Sequence, residues 1–287
     1  MKLEQYQSPA AFRAAALETL LRNEAQNGLM ISFAQQEAGP DKADWFLAAV
    51  RGGDGEVKLV AAMTPPYPLT MYEPGNQSAD AALGCLVRSL KDLGLRPPGV
   101  LAEAGLARRF ASLFAGEGCY TVHMTETILR IETIQHHGAA PGIMRPMRES
   151  DLYFAPFWAA AFARDCRLSA RECEIAYQAE RLRRFLERDE LFFWESGGAP
   201  VSMAASHRKT IRGAGIGFVY TPPHFRGKGY ATSLVAALTQ KQLDVGYRFC
   251  FLFADAANPI SNGVYRKIGY VPVCTFDEIS FAEHAGS

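Results

Sequence analysis

The chain of 287 residues has no net charge, because 30 lysines and arginines balance 30 aspartates and glutamates. It therefore lacks the clustered basic face that nucleic-acid binding requires. Its densest basic run, Arg181, Arg183, Arg184 and Arg188, is interleaved with Glu180, Glu187 and Asp189. That alternation reads as a solvated helix face. No apolar stretch reaches bilayer length, so no membrane-spanning helix is expected. A charged-then-apolar leader is missing as well, so export is not expected. Cys-x-x-Cys is absent. The six cysteines (Cys85, Cys119, Cys166, Cys173, Cys250 and Cys274) stand apart, with no histidine pair at zinc spacing. Their scatter through apolar contexts fits reduced core thiols, a cytoplasmic compartment and no bound metal. His136 and His137 fall in a polar, glycine-rich stretch and read as linker residues.

What the chain does contain is a strand, a Pro222-Pro223 break, a glycine loop and a helix, all between Val219 and Thr232. Gly227 and Gly229 permit positive φ and bare N–H groups. The helix that starts near Gly229 brings its positive dipole end to the loop. Backbone donors beside a helix N-terminus make a phosphate site. A P-loop is ruled out, since no upstream glycine precedes Lys228 at the required spacing. The dinucleotide fingerprint fails too, because Thr232 takes its third glycine position and no ribose-binding acid follows in a βαβ unit. Arg226-x-x-Gly229-x-Ala231 remains.

A second segment follows at Phe249 to Tyr270. Residues 249–254 read as a buried strand. Asn258 is placed as an N-cap with Pro259 at the first helical position, and Gly269 as the left-handed terminator. Ile260, Val264 and Ile268 recur every fourth residue and are expected to form the core stripe. Asn258, Ser261 and Tyr265 share a neighbouring polar face. Together, the loop and this helix resemble the pyrophosphate loop and pantetheine-lining helix of the GNAT superfamily of acyl-CoA-dependent N-acetyltransferases. The resemblance is carried by residues from about Gly142 to the C-terminus.

The resemblance implies an acyltransferase that moves an acetyl group from acetyl-CoA to an amine of a small molecule, amino acid or peptide by direct attack. Backbone amides from Arg226 through Gly227, Lys228, Gly229 and Tyr230 to Ala231 would hold the pyrophosphate, with Arg226 and Lys228 adding charge. Phe218 and Val219 would pair with the pantetheine amides, as in strand addition. An N–H near Val219 would stabilise the oxyanion, a donor worth about 3 kcal/mol. Tyr265 would protonate the leaving thiolate, with an ordinary pKa of about 10 suited to the task. Asn258 and Ser261 would border the arm. For the general base, Glu195, His207, Tyr220, Asp255 and a water relay all stay open. Phe154, Phe157, Trp158 and Phe162 read either as core or as an aromatic wall. The rival reading is a catalytically weak acyl-CoA sensor or scaffold module.

The stretch from Thr133 to Gly142 has linker composition. It divides a degenerate first domain, 1–132, from an acetyltransferase domain, 143–287. The expected class is α/β (α+β), a mixed, mostly antiparallel twisted sheet flanked by helices, present twice. Trp45–Val50, Val57–Met63, Pro65-Pro66 and a helix at Ala79–Leu93 in the first half echo Leu191–Glu195, Val201–Ser206, Gly215–Thr221, Pro222-Pro223 and a helix at Tyr230–Val245 in the second. The first half has no Arg-x-x-Gly-x-Ala loop, and Pro68 removes a donor. It is expected not to bind CoA.

Overall fold

Alternating apolar runs closed by glycine turns build both halves. The computed structural model describes residues 1–75, 80–135 and 138–281. The elements in chain order are β1 (Lys2–Gln5), α1 (Pro9–Leu21), α2 (Gly28–Ala34), β2 (Phe46–Arg51), β3 (Val57–Met63), β4 (Leu69–Tyr72), α3 (Asp80–Asp92), β5 (Gly99–Glu103), α4 (Ala104–Ala115) and β6 (Tyr120–Ile131). They continue with β7 (Ile143–Pro146), α5 (Ala155–Asp165), α6 (Ile175–Glu187), β8 (Leu191–Ser196), β9 (Ala199–His207), β10 (Gly213–Tyr220), α7 (Tyr230–Asp244), β11 (Phe249–Asp255), α8 (Pro259–Ile268) and β12 (Val271–Phe281). Contacts divide the chain into two units. One holds residues 1–128, 254–258 and the chain from Pro272; the other holds 129–253 and 259–271.

In the first unit the strand order is β1-β2-β3-β4-β5-β12-β6. The pairs β1–β2, β2–β3, β3–β4 and β5–β12 are antiparallel, and β4–β5 is parallel, with Leu69 facing Val100 and Thr70 facing Leu101. In the second unit the order is β11-β10-β9-β8-β7. It is antiparallel except between β10 and β11. Gly197 and Gly198, both at positive φ, close the β8–β9 hairpin in the manner of a two-residue primed turn. The expected mixed, mostly antiparallel architecture is therefore present twice.

One expectation changes. The parallel step identifies β4, not β3, as the counterpart of β10. Pro65-Pro66 lies between β3 and β4, so it does not correspond to Pro222-Pro223. The segment from Tyr67 to Glu73 is a turn and a strand, not a failed phosphate loop. β12 pairs with β5 from Phe276–Glu103 to Ser280–Gly99, so residues 276–280 join the sheet of the first unit. Gly99 makes this possible, since a Cβ there would stand 2.1 Å from the Ile279 carbonyl oxygen. The helix expected from Ala79 is described from Asp80; Ala79, His136 and His137 lie outside the described residues.

The expected linker is docked where it is described. Gln135 N–H donates to the Ile268 carbonyl, Ala140 N–H to Ser233 Oγ at 2.8 Å, and Trp194 Nε1 to the Pro141 carbonyl.

The second unit is pinned at its start by a buried ion pair. Arg145 places Nη1 and Nη2 on the two Asp151 carboxylate oxygens at 2.7 and 2.9 Å, and Nε on Glu195. Asp151 also accepts from the Arg148 N–H. Both Arg145 and Asp151 are buried. Removing one partner of such a pair leaves a buried charge uncompensated, which costs about 3–5 kcal/mol. Asp151→Ala should therefore lower the urea midpoint of this unit by an amount equivalent to about 3 kcal/mol, with an unchanged m-value.

Candidate functional site

The site grows from three alternate glycines on β10. A Cβ at Gly213 would meet the Phe249 ring at 2.4 Å, one at Gly215 the His207 carbonyl oxygen at 2.5 Å, and one at Gly217 the His207 ring at 2.6 Å. Period-two glycine thus lets bulky groups close over the strand. Immediately beyond, the β9 register slips between Gly217 and Tyr220. Phe218 lies in this bulge at φ +56. An aromatic residue in the left-handed region is strained, a condition that clusters at functional sites. On the other edge, β10 pairs with β11 only at Gly213, Ala214 and Gly215. From Ile216 to Tyr220 the two parallel strands are unpaired. The opening begins upstream of Pro222-Pro223, where β10 itself is deformed.

The chain then turns through Pro223–Phe225 into the glycine loop. Gly227 and Gly229 take φ +77 and +80. Gly229 is the N-cap of α7 and supplies no side-chain acceptor. Elsewhere Ser8 caps α1 through the Ala11 N–H, and Glu103 caps α4 through the Leu106 N–H. Among the described residues, no backbone acceptor takes the N–H groups of Gly227, Lys228 or Gly229. Those of Tyr230, Ala231 and Thr232 belong to the first turn and have no intrahelical partner. The donors point into a corner that ends a 15-residue helix, which favours an anion. Leu234, Val235 and Leu238 of α7 are fully buried.

Arg226 has hydrogen-bond partners within the protein. Its Nε donates to the Thr221 carbonyl at 2.8 Å and its Nη2 to Asp165 at 2.7 Å. The pair cancels its charge locally, so Arg226 fixes the loop, and Lys228 is left as the exposed side-chain cation.

α8 packs against α7 and ends at Gly269, φ +109, as expected. The core stripe is misplaced, however. Ile260 is 80% exposed and Val264 only partly covered, whereas Tyr265 and Ile268 are buried. The first turn projects past the core, and the apolar face is turned toward Tyr265. Burial pushes the Tyr265 phenol well above its ordinary range, so it stays protonated. The expected match to a thiol near 10 does not hold in this state. Asn258 is exposed, its N–H donating to the Asp255 carbonyl, and Ser261 is partly covered.

Over the bulge lies an aromatic bank. Phe162 contacts Phe218 at 5.0 Å between centroids, Trp158 contacts Phe193 and Tyr220 at 6.0 and 6.4 Å, and Phe185 meets Phe218 at 5.5 Å and His207 at 5.9 Å. Ala155, Pro156, Ala159, Ala160 and Ala163 of α5 are buried; Phe154, Trp158 and Phe162 pack against the core cluster that holds Phe193, Phe218 and Tyr220, while Phe157 is exposed. Arg181 was expected on a solvated face. It lies instead over Phe218 at 4.8 Å and Phe185 at 5.6 Å. Burial and the nearby Arg208 and Arg181 cations hold His207 well below its usual range, so its ring is neutral. Among the candidate bases, Glu195 is committed to Arg145, and Asp255 to the Ala257 N–H.

With this geometry, residues 157–270 match the model of the Acetyltransferase (GNAT) family. They form a GNAT domain. Solved structures extend the likeness to the whole fold. An acetyltransferase of the GNAT family from Colwellia psychrerythraea aligns with a TM-score of 0.63 at 12% identity, covering 98% of this chain and 100% of its own. A GCN5-related N-acetyltransferase from Sphaerobacter thermophilus gives 0.63 at 14%, covering 98% and 95%. A tandem GNAT protein from the clavulanic acid biosynthesis pathway gives 0.58 at 15%, covering 100% of both chains. No curated protein matches the sequence. The first unit is GNAT-like in topology but not in its loop. The corner ahead of α3 carries Glu73 and Asp80, both paired with Arg109, where the GNAT domain of the second unit presents bare amides. Among the described residues, no helix is long and apolar enough to cross a membrane.

Proposed function

We propose that the second unit catalyses acetyl transfer from acetyl-CoA to an amine. The reading rests above all on the uncapped N-terminus of α7 at Gly229, beside a strand pair that opens at the Phe218 bulge. The N–H groups of Gly227 to Ala231 hold the diphosphate, with Lys228 adding charge and Arg226 holding the loop in shape. Phe218 and Val219 supply the strand edge that takes the pantetheine amides, and Ser261 and Asn258 contact the same arm. The amine nitrogen attacks the thioester carbonyl carbon, and the Val219 N–H stabilises the oxyanion. As the C–S bond breaks, Tyr265 donates its proton to the leaving sulfur and is reprotonated from solvent. Water takes one proton from the acceptor ammonium before attack and a second from the nitrogen once the C–N bond has formed, since Glu195 and Asp255 are engaged elsewhere.

The first unit, with acids at its α3 corner, binds no CoA and acts as a structural partner. The boundary between an ancestral pair of domains falls within 133–142. The protein works in the cytoplasm, where acetyl-CoA is available and its six free cysteines stay reduced. The test is release of free thiol from acetyl-CoA in the presence of an amine panel. Thiol release dependent on one acceptor class is expected. Coenzyme A binding with no release from any acceptor would leave a sensor and remove the enzyme.

A further inference from the structure

Arg181 is unusual among the arginines of α6. Arg183, Arg184 and Arg188 are exposed, and Arg184 reaches Glu180. Arg181 is half-buried, lies over the rings of Phe218 and Phe185, and has no carboxylate partner among the described residues. Placing a guanidinium in apolar surroundings without a counter-ion costs free energy, and an anionic ligand recovers it. A second observation lies beside it. His207 Nδ1 is buried with no hydrogen-bond partner, on a ring packed against Phe185 and the Gly217 backbone. Both groups flank the bulge at Phe218. A fixed positive charge here also disfavours diamines.

We propose that Arg181 is a specificity-determining residue, and that the acceptor is an amine bearing an anionic group, a carboxylate or a phosphate, a few bonds from the nucleophilic nitrogen. The planar fork grips the anion in bidentate fashion and holds the amine at the Phe218 bulge, while the His207 ring meets a further polar atom of the same molecule. This inference rests on the acetyl-transfer reading above.

The test uses the full chain and matched acceptors: amino acids, their carboxamides, O-phosphoethanolamine and putrescine. The free amino acid or O-phosphoethanolamine should exceed the uncharged and dicationic amines in kcat/KM by about 30-fold or more. A better amino acid assigns the anion as carboxylate; a better O-phosphoethanolamine assigns it as phosphate. Arg181→Ala should bring the ratio close to one by raising the acceptor KM, leaving the acetyl-CoA KM unchanged. Arg181→Gln keeps the packing stem and should do the same, and Arg181→Lys should restore part of the preference. A merely structural arginine would lower all acceptors alike. Carboxamides or putrescine turned over as well as the anionic members would overturn the proposal. So would an unchanged ratio in Arg181→Gln, or coenzyme A binding without acetylation of any anionic acceptor. If coenzyme A itself does not bind, the acetyl-transfer reading fails first.

Discussion

Gly229→Asp should all but abolish coenzyme A binding while leaving the fold intact. Gly229 caps α7 at φ +80, a conformation that aspartate tolerates better than most residues. Space is available, since the nearest atom to an added Cβ is the Ala140 methyl at 3.8 Å. An aspartate at an N-cap accepts from the first-turn N–H groups and complements the helix dipole. The helix thus gains a capping carboxylate, and the N–H groups proposed for the diphosphate acquire a partner inside the protein. The incoming anion then meets both lost donors and a like charge. Affinity should fall about 100-fold or more, equivalent to about 3 kcal/mol. Calorimetric titration measures the loss, and an unchanged thermal midpoint shows that the fold survives. Affinity within a few-fold of the unsubstituted protein would place the diphosphate elsewhere.

Tyr265→Phe should lower kcat by about 100-fold or more while the KM for acetyl-CoA changes little. The substitution removes one hydroxyl from a buried ring that packs at 6.0 Å on Tyr270, so core volume is kept. Because burial holds the phenol protonated above its ordinary range, it is present as a donor throughout the neutral region. Its ionisation produces no activity loss below about pH 10. A basic limb below that pH belongs to another group and should persist in Tyr265→Phe. A variant with full kcat would make Tyr265 a packing residue and leave thiolate protonation to water.

The parts legible in the sequence were those fixed by short-range chemistry. Gly227 and Gly229 announced positive φ, Pro259 a first helical turn and Gly269 a left-handed stop, because each depends on the residue's own backbone. The strands at Leu191–Glu195 and Val201–Ser206 also followed from local pattern. Features set by distant neighbours were hidden. The bulge at Phe218 arises from the slip against β9, and no residue in that segment advertises an aromatic side chain at positive φ. The three alternate glycines were its only local trace. Ile260 fits the four-residue stripe of α8, yet the helix starts beyond the core and leaves it in solvent. Arg181 sat in a mixed-charge run that describes its neighbours correctly; only packing against Phe218 and Phe185 separates it from them. Asp165, 61 residues away in sequence, was invisible as the partner of Arg226. The β12–β5 pairing was equally long-range, with Gly99 as the single local concession to it.

The account depends most on the unsatisfied amides at the start of α7, and amide NMR observes them individually. In a titration of the deuterated full chain with coenzyme A, the N–H resonances of Gly227 to Ala231 should shift downfield and saturate together, with those of Phe218 and Val219 following as the arm is bound. Binding that leaves the 227–231 amides in place, or no binding at all, would contradict it.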